Sequence, residues 1–270
     1  MNTRQGLLKA LWFYPARHLW KLAADRDYRI SAWLHSRYSH YPRYTPFGCK
    51  VDGLDLSVPD APSFLSTWDQ IFARQLYRCE LPDMPRILDL GANIGLASLY
   101  FLQHHPKAVI TALEPDPDVF CHLHRNLTAN RGDGVRLLRA AAWIEDTELN
   151  FAPDRADGGH LADSGKCKVQ AIDTRRLLEE QTFDLVKMDI EGAECVVLPE
   201  LGDLLEGTRL VFVEYHGRSQ GPQALARVVG TLTKAGFRLH IESLVPRAHP
   251  WLASSGNGLE LQLNIFGWRT

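Results

Sequence analysis

The sequence predicts an α/β fold: a mostly parallel sheet with helices on both faces, preceded by a helical extension. Three observations carry this expectation. From residue 86 onward, short apolar runs alternate with stretches of helical periodicity, the pattern of strands whose crossover helices cover both sides of a parallel sheet. A glycine-containing turn, Asp89-Leu90-Gly91-Ala92-Asn93-Ile94-Gly95, comes directly after the first of these runs. Acidic residues then recur where later runs end, at Glu114, Asp189 and Glu214. With 45% apolar and 23% charged residues in a chain of 270, the composition is that of an ordinary folded protein of one or two domains.

The expected strands of the main domain are 87–90, 109–113, 135–138, 169–172, 185–188 and 210–213. Helices are expected at 94–104, 118–130, 174–180, 193–205 and 223–235. A last strand at 259–266 is expected to pair with 238–244. Ahead of this domain, Leu8, Leu11, Trp12, Leu19, Leu22 and Ala23 recur at helical spacing, and Pro15 is expected to kink or divide that helix. Asp52-Gly53 between apolar residues signals a hairpin. Residues 63–77 read as a helix with Phe64, Leu65, Trp68, Ile71, Phe72 and Leu76 on one face. The boundary is placed between an extension, 1–82, and a main domain, 83–270.

The net charge of −2 hides an asymmetry. The first 50 residues hold nine Lys/Arg against Asp25 and Asp27, which leaves the remainder at −9. Ten aromatic residues fall in the same 50, among them Trp12, Trp20 and Trp33. A basic, aromatic segment suits an anionic membrane surface, so residues 1–45 are expected either to rest there or to pack on the main domain or a second subunit. An acidic main domain disfavours nucleic acid as a partner. Five widely spaced cysteines without a CxxC pair suggest neither a disulfide framework nor a zinc knuckle. With no apolar run of membrane-spanning length and no cleavable leader, a cytoplasmic location is expected, with the inner membrane face as the place where residues 1–45 would act.

The turn at 89–95 permits a tight bend and close approach of a ligand to bare backbone, although a plain strand-to-helix turn has the same pattern. A dinucleotide fingerprint would need glycines at positions 93 and 96, where the chain has Asn93 and Leu96. Glu114, ending the next strand, is placed to accept hydrogen bonds from both ribose hydroxyls; alone it could equally be a solvated strand end. In Lys187-Met188-Asp189-Ile190-Glu191-Gly192-Ala193-Glu194, strand alternation puts Lys187 and Asp189 on one face. A lysine in a central strand is either paired or at work. Asp189 and Glu191 then lie at the crevice edge, where Asp189 could also be a helix cap. Glu214 and His216 share a face at the end of the following strand.

The runs DLGANIG, ALEPDP, KMDIEGAE and VEYH, spread over residues 86–216, resemble the signatures of FkbM-type methyltransferases, which use S-adenosylmethionine on a Rossmann-like fold. The resemblance implies a seven-stranded sheet with an antiparallel last pair and methylation of a hydroxyl oxygen on a sugar, glycan or secondary metabolite. It implies that Asp89, Gly91, Asn93 and Gly95 frame the donor, that Glu114 holds its ribose and that Ala142 contacts adenine. Asp189 would face the reacting end, and Glu191 and His216 are the candidates for the general base, with Lys187 beside them. His160 and Trp143 are weaker candidates, the latter reading first as core packing. Asp189, Glu191, Glu214 and His216 could instead gather Mg²⁺, a reading that is not favoured, and no metal site is expected. The strand end lacks the Asn/Asp-Pro-Pro-aromatic run of many amine-directed enzymes, which favours oxygen as acceptor. The alternatives are a non-catalytic protein that keeps the donor pocket and an NAD-dependent oxidoreductase.

Overall fold

Side-chain periodicity and turn chemistry account for most of the elements. The computed structural model describes residues 19–130, 132, 134–154, 156, 158–161, 165, 167–218, 223–244, 251 and 259–269. The expected helix around Leu8, Leu11 and Trp12 and its kink at Pro15 lie outside the described residues. The chain divides into two compact units, Met1–Arg78 and Cys79–Thr270.

In the first unit, helix α1 (Arg26–Tyr38) starts at Asp25, whose carboxylate accepts the Tyr28 N–H at 3.0 Å, and it buries Leu34 and Tyr38. Strands β1 (Phe47–Val51) and β2 (Leu54–Val58) form a hairpin. Its turn residues Asp52 and Gly53 both have positive φ, 52° and 78°, the geometry that favours Asp-Gly in a two-residue loop. Helix α2 (Ala61–Trp68) is capped by Asp60, which accepts the Ser63 N–H at 3.1 Å. It continues as a π-helical turn, Asp69–Ala73, and stops there rather than at residue 77. Gln75, at φ 54°, is in the left-handed region and cannot extend a right-handed helix.

In the second unit the strands are β3 (Arg86–Leu90), β4 (Val109–Leu113), β5 (Arg136–Leu138), β10 (Leu185–Met188), β11 (Leu210–Arg218), β12 (Arg238–Ser243) and β13 (Leu259–Trp268). They form one seven-stranded sheet in the order β12-β13-β11-β10-β3-β4-β5. The run β11-β10-β3-β4-β5 is parallel, and β13 lies antiparallel between β11 and β12. Helices α3 (Leu96–His104), α4 (Pro117–Ala129), α5 (Thr174–Glu180), α6 (Glu194–Leu201) and α7 (Leu225–Lys234) connect them. β10 is buried along its whole length, as a strand covered on both faces must be. Leu88, Leu90, Val186, Met188, Val211 and Val213 share one apolar core with Val197, Leu198, Val228 and Leu232 of the helices.

One expected strand of the main sheet lies elsewhere. Residues 169–172 belong to β9 (Cys167–Asp173), in a separate four-stranded sheet with β6 (Ala141–Trp143), β7 (Thr147–Ala152) and β8 (His160–Leu161). β9 alternates Val169 and Ala171, which are buried, with Lys168 and Gln170, which are exposed. That period of two marks a strand with one wet face, unlike the continuous apolar runs of β3 and β10.

Candidate active site

The loops after β3, β4 and β10 and the outer part of β11 meet at the carboxyl edge of the parallel strands, where ligands of open α/β sheets bind. The β3 bend is held from inside. Gly91 (φ 77°), Asn93 (φ 50°) and Gly95 (φ 90°) all take left-handed conformations. A Cβ on Gly91 would stand 1.7 Å from the Asp189 carbonyl oxygen, and one on Gly95 would stand 2.8 Å from Leu123 Cδ1. In those directions a side chain would meet the bend after β10 and helix α4, so the turn itself requires glycine at both positions.

The bend's own N–H groups are also engaged. Gly91 and Ala92 both donate to the Leu113 carbonyl, at 3.1 and 2.8 Å, and Gly95 donates to the Ala92 carbonyl at 2.9 Å. Asn93 donates its N–H to Glu114 Oε2 at 2.9 Å, and Ile94 donates to Asn93 Oδ1 at 2.6 Å. Glu114 Oε1 accepts the Asp116 N–H at 2.9 Å. Burial pushes the Glu114 carboxyl up to about 7, against the pull of these two N–H groups. Each of its oxygens accepts one backbone bond, and a carboxylate has about four lone-pair directions, so capacity remains for two hydroxyls.

Lys187 is paired. Its ammonium donates to the Gly91 carbonyl at 2.5 Å and lies 3.1 Å from Asp89 Oδ1 and 3.7 Å from Asp189 Oδ2. Burial opposes its charge, but Asp89 and Asp189 hold its pKa above the ordinary value. Asp89, fully buried, also accepts the Ser98 hydroxyl at 2.7 Å. Lys187 thus ties β10 to the β3 bend through its cross-strand neighbour Asp89.

The second group gathers around His216. Its Nδ1 lies 3.0 Å from Glu194 Oε1, and its Nε2 lies 3.5 Å from Glu214 Oε1 and 3.7 Å from Glu191 Oε1. Burial works against the imidazolium, yet the bonds to Glu194 and Glu214 hold its pKa well above the ordinary value. Glu214, which also accepts from Gln262 Nε2 at 2.5 Å, is held below the usual carboxylate range against its burial. Burial pushes Asp189 up to about 7 and Glu191 up to about 8, with the neighbouring acids adding to both. Five carboxylates (Asp89, Asp189, Glu191, Glu194, Glu214) face two cations, so protons are retained near neutrality on Asp189 and Glu191. Single ligand atoms of Asp189, Glu214 and His216 lie within 4.8 Å of one another. Metal binding there would have to displace the proton that Glu194 and Glu214 hold on His216.

The expected residues Asp89, Gly91, Asn93, Gly95, Glu114, Lys187 and Asp189 therefore interlock through the β3 bend, and Glu191 and His216 join Asp189 from the other side. Ala142 sits in β6 as part of the apolar core. Trp143 packs against that core, and His160 Nδ1 bonds the Gly158 carbonyl at 2.9 Å within its own loop. Sequence reasoning missed Glu194, Gln262 and Arg218, whose guanidinium donates to the Glu191 carbonyl at 2.9 Å. An acid in the first turn of α6 was a signal for Glu194. Gln262 gave none, because its place depends on β13 pairing beside β11.

Strand order and direction define a Rossmann-like methyltransferase fold. A methyltransferase FkbM from Methylobacillus flagellatus shares it with a TM-score of 0.50 at 13% identity, over 70% of this chain and 45% of that one. The family model for the methyltransferase FkbM domain matches residues 89–239, more than half of the chain. The chain belongs to the FkbM methyltransferase family. The 2-O-methyltransferase NoeI of Sinorhizobium fredii is 30% identical over 160 residues, which is 50% of this chain and 65% of the relative. The hexuronic acid methyltransferase AglP of Haloferax volcanii is 30% identical over 135 residues, 47% of this chain and 54% of the relative. The chain thus spans less than two thirds of either relative's length.

Proposed function

We propose that the protein transfers a methyl group from S-adenosylmethionine to a hydroxyl oxygen of a sugar, glycan or secondary metabolite. Family membership and two relatives whose names point to a 2-O position and a hexuronic acid support this reading. The observation that carries it is Glu191, a partly exposed carboxyl whose pKa is raised to about 8, beside the His216 ring at the edge shared with Glu114. Glu114 has the spare acceptor capacity that a ribose diol needs. The donor's carboxylate would be received by the first turn of α3, since the N–H groups of residues 91–95 are used within the bend.

When bound, S-adenosylmethionine supplies an electrophilic methyl carbon on a sulfonium, so the protein's part is alignment and removal of the acceptor's proton. The acceptor hydroxyl would give its proton to ionised Glu191 as its oxygen takes the methyl group that the bound donor supplies. His216, held cationic, stabilises that ionised form, and Asp189 and Glu214 flank the acceptor. Glu191→Gln is expected to keep donor affinity and to lower turnover by about 10²–10⁴-fold, the usual contribution of a general base. Below about pH 8 the wild-type rate should climb with pH as Glu191 ionises. Mass spectrometry for the gain of one CH₂ on a glycan panel reads the activity, and donor titration against NAD separates it from an oxidoreductase. Near-normal turnover of folded Glu191→Gln would remove the mechanism.

For residues 1–45 we propose contact with an anionic membrane surface, bringing the site to a lipid-linked acceptor. Trp20 is 67% exposed and Trp33 48% exposed, in a segment with nine basic residues against two acidic ones by residue 50. Among the described residues no helix is long and apolar enough to cross a membrane. In flotation, anionic vesicles should carry the full chain, and Trp20→Ala/Trp33→Ala should release it; equal recovery with neutral vesicles would end the idea.

A further inference from the structure

Glu194 is 1% exposed and opens α6. Its carboxylate is shared by two segments that are far apart in sequence. From the β10–α6 bend it accepts the Ile190 N–H at 3.1 Å and the Gly192 N–H at 3.2 Å on one oxygen and 3.0 Å on the other. From β11 it meets His216 Nδ1 at 3.0 Å. The bend is an unfavourable one: Glu191 at φ 54° and Gly192 at φ 106° both occupy the left-handed side, and a non-glycine residue stays there only when its surroundings hold it. The bonds that flank Glu191, on the residues before and after it, both end on Glu194.

The same carboxylate makes Nδ1 the donor toward Glu194, which turns Nε2 toward Glu191 and Glu214. Either contact alone would fix one partner and leave the other free to rotate. Glu194 fixes both, so the spacing between Glu191 and His216 follows from one buried group. Arg218, donating to the Glu191 carbonyl, braces the bend from outside.

We propose that Glu194 is the positioning residue of this site: one buried carboxylate sets Glu191 and His216 against each other while touching neither donor nor acceptor. The proposal rests on the reading of Glu191 as proton acceptor. In Glu194→Gln, one carbonyl oxygen must serve donors that now use two charged oxygens. Donor Kd and acceptor KM are expected to stay within about twofold while kcat falls on the order of 10–100-fold, part of a general base's 10²–10⁴. Glu194→Asp, which keeps the charge but is one methylene too short to span both segments, should lose activity by a similar factor.

A second readout needs no methyl transfer. Nitrogen-15 NMR of the His216 ring should show a cation persisting through neutral pH in the wild type, and a titration moved toward the ordinary histidine range in Glu194→Gln. The groups acting on the ring are Glu194, Glu191, Glu214 and Asp189, with Lys187 acting on Glu214. A His216 titration unchanged in Glu194→Gln overturns the proposal. So does unchanged kcat, or loss of donor binding in step with kcat, which marks a merely structural role. If Glu194→Gln does not fold, Glu194→Asp is judged by the same two readouts. Normal turnover in Glu191→Gln, by contrast, removes the base assignment on which the proposal is built, whatever the ring titration shows.

Discussion

Glu114 and Glu191 show how burial turns an ordinary carboxyl into one with two uses. Glu114 accepts backbone N–H groups on both oxygens, so it is a brace of the β3 bend before any ligand arrives. In our reading it also carries the donor's ribose. A hydrogen bond to a charged group is worth about 1.5–3 kcal/mol, so Glu114→Ala should weaken donor binding by at least the about 10–150-fold that one lost ribose bond represents, read in a calorimetric titration. Unaltered affinity would place the nucleoside elsewhere. Lys187 and Asp89 differ from these acids: both are enclosed, Lys187 between Asp89 and the Gly91 carbonyl, and Asp89 between Lys187 and the Ser98 hydroxyl. The position of Glu114 was legible because a strand end is a local pattern, whereas its raised pKa depends on what covers it.

The helix that follows Glu114 has a capped start. Asp116 caps α4 by accepting the Asp118 and Val119 N–H groups at 2.9 and 3.3 Å, and Pro117 sits at the start of the helix, where a missing N–H costs nothing. Asp116→Ala should lower unfolding stability by about 1 kcal/mol, read in urea, as is typical for a lost cap. A change under a few tenths would mean that the helix start is held by its neighbours instead. The strands and helices of the main sheet were readable from apolar periodicity, although β11 runs on to Arg218, beyond the expected 210–213. The π turn after α2 and the side sheet built on β9 were less so, because each rests on a conformational or pairing choice made outside the segment itself.

Across the molecule, the raised acids link stability to pH in a defined direction. The folded chain holds protons on Glu114 and Asp189 up to about pH 7 and on Glu191 up to about pH 8, whereas their ordinary values are 4.5, 3.8 and 4.5. Between those limits the folded state binds more protons than the unfolded one, so stability falls as pH rises from about 4 to about 8. His216, raised in the folded state, adds to the fall at the upper end. Asp60, Asp173 and Glu214, held low, act oppositely, and their contribution is lost only as pH drops below the ordinary carboxylate range. The Tm of the ligand-free protein should therefore be higher at pH 5.5 than at pH 8. The reverse order would show that the cluster's acids are ionised in the folded state.

What the amino-acid order determined on its own was the alternation of strands and helices, the bend at 89–95, the acid that ends β4 and the acidic segment after β10. These depend on side-chain period and backbone preference within a few residues. Tertiary structure alone decided which of those acids keep a proton, and it brought Gln262 to Glu214 across 48 residues of sequence. It also placed Glu194 between the β10–α6 bend and β11. The reason is physical: a carboxyl's proton affinity and a side chain's partners are set by the groups and solvent around it, and strand pairing and burial supply those from distant parts of the chain.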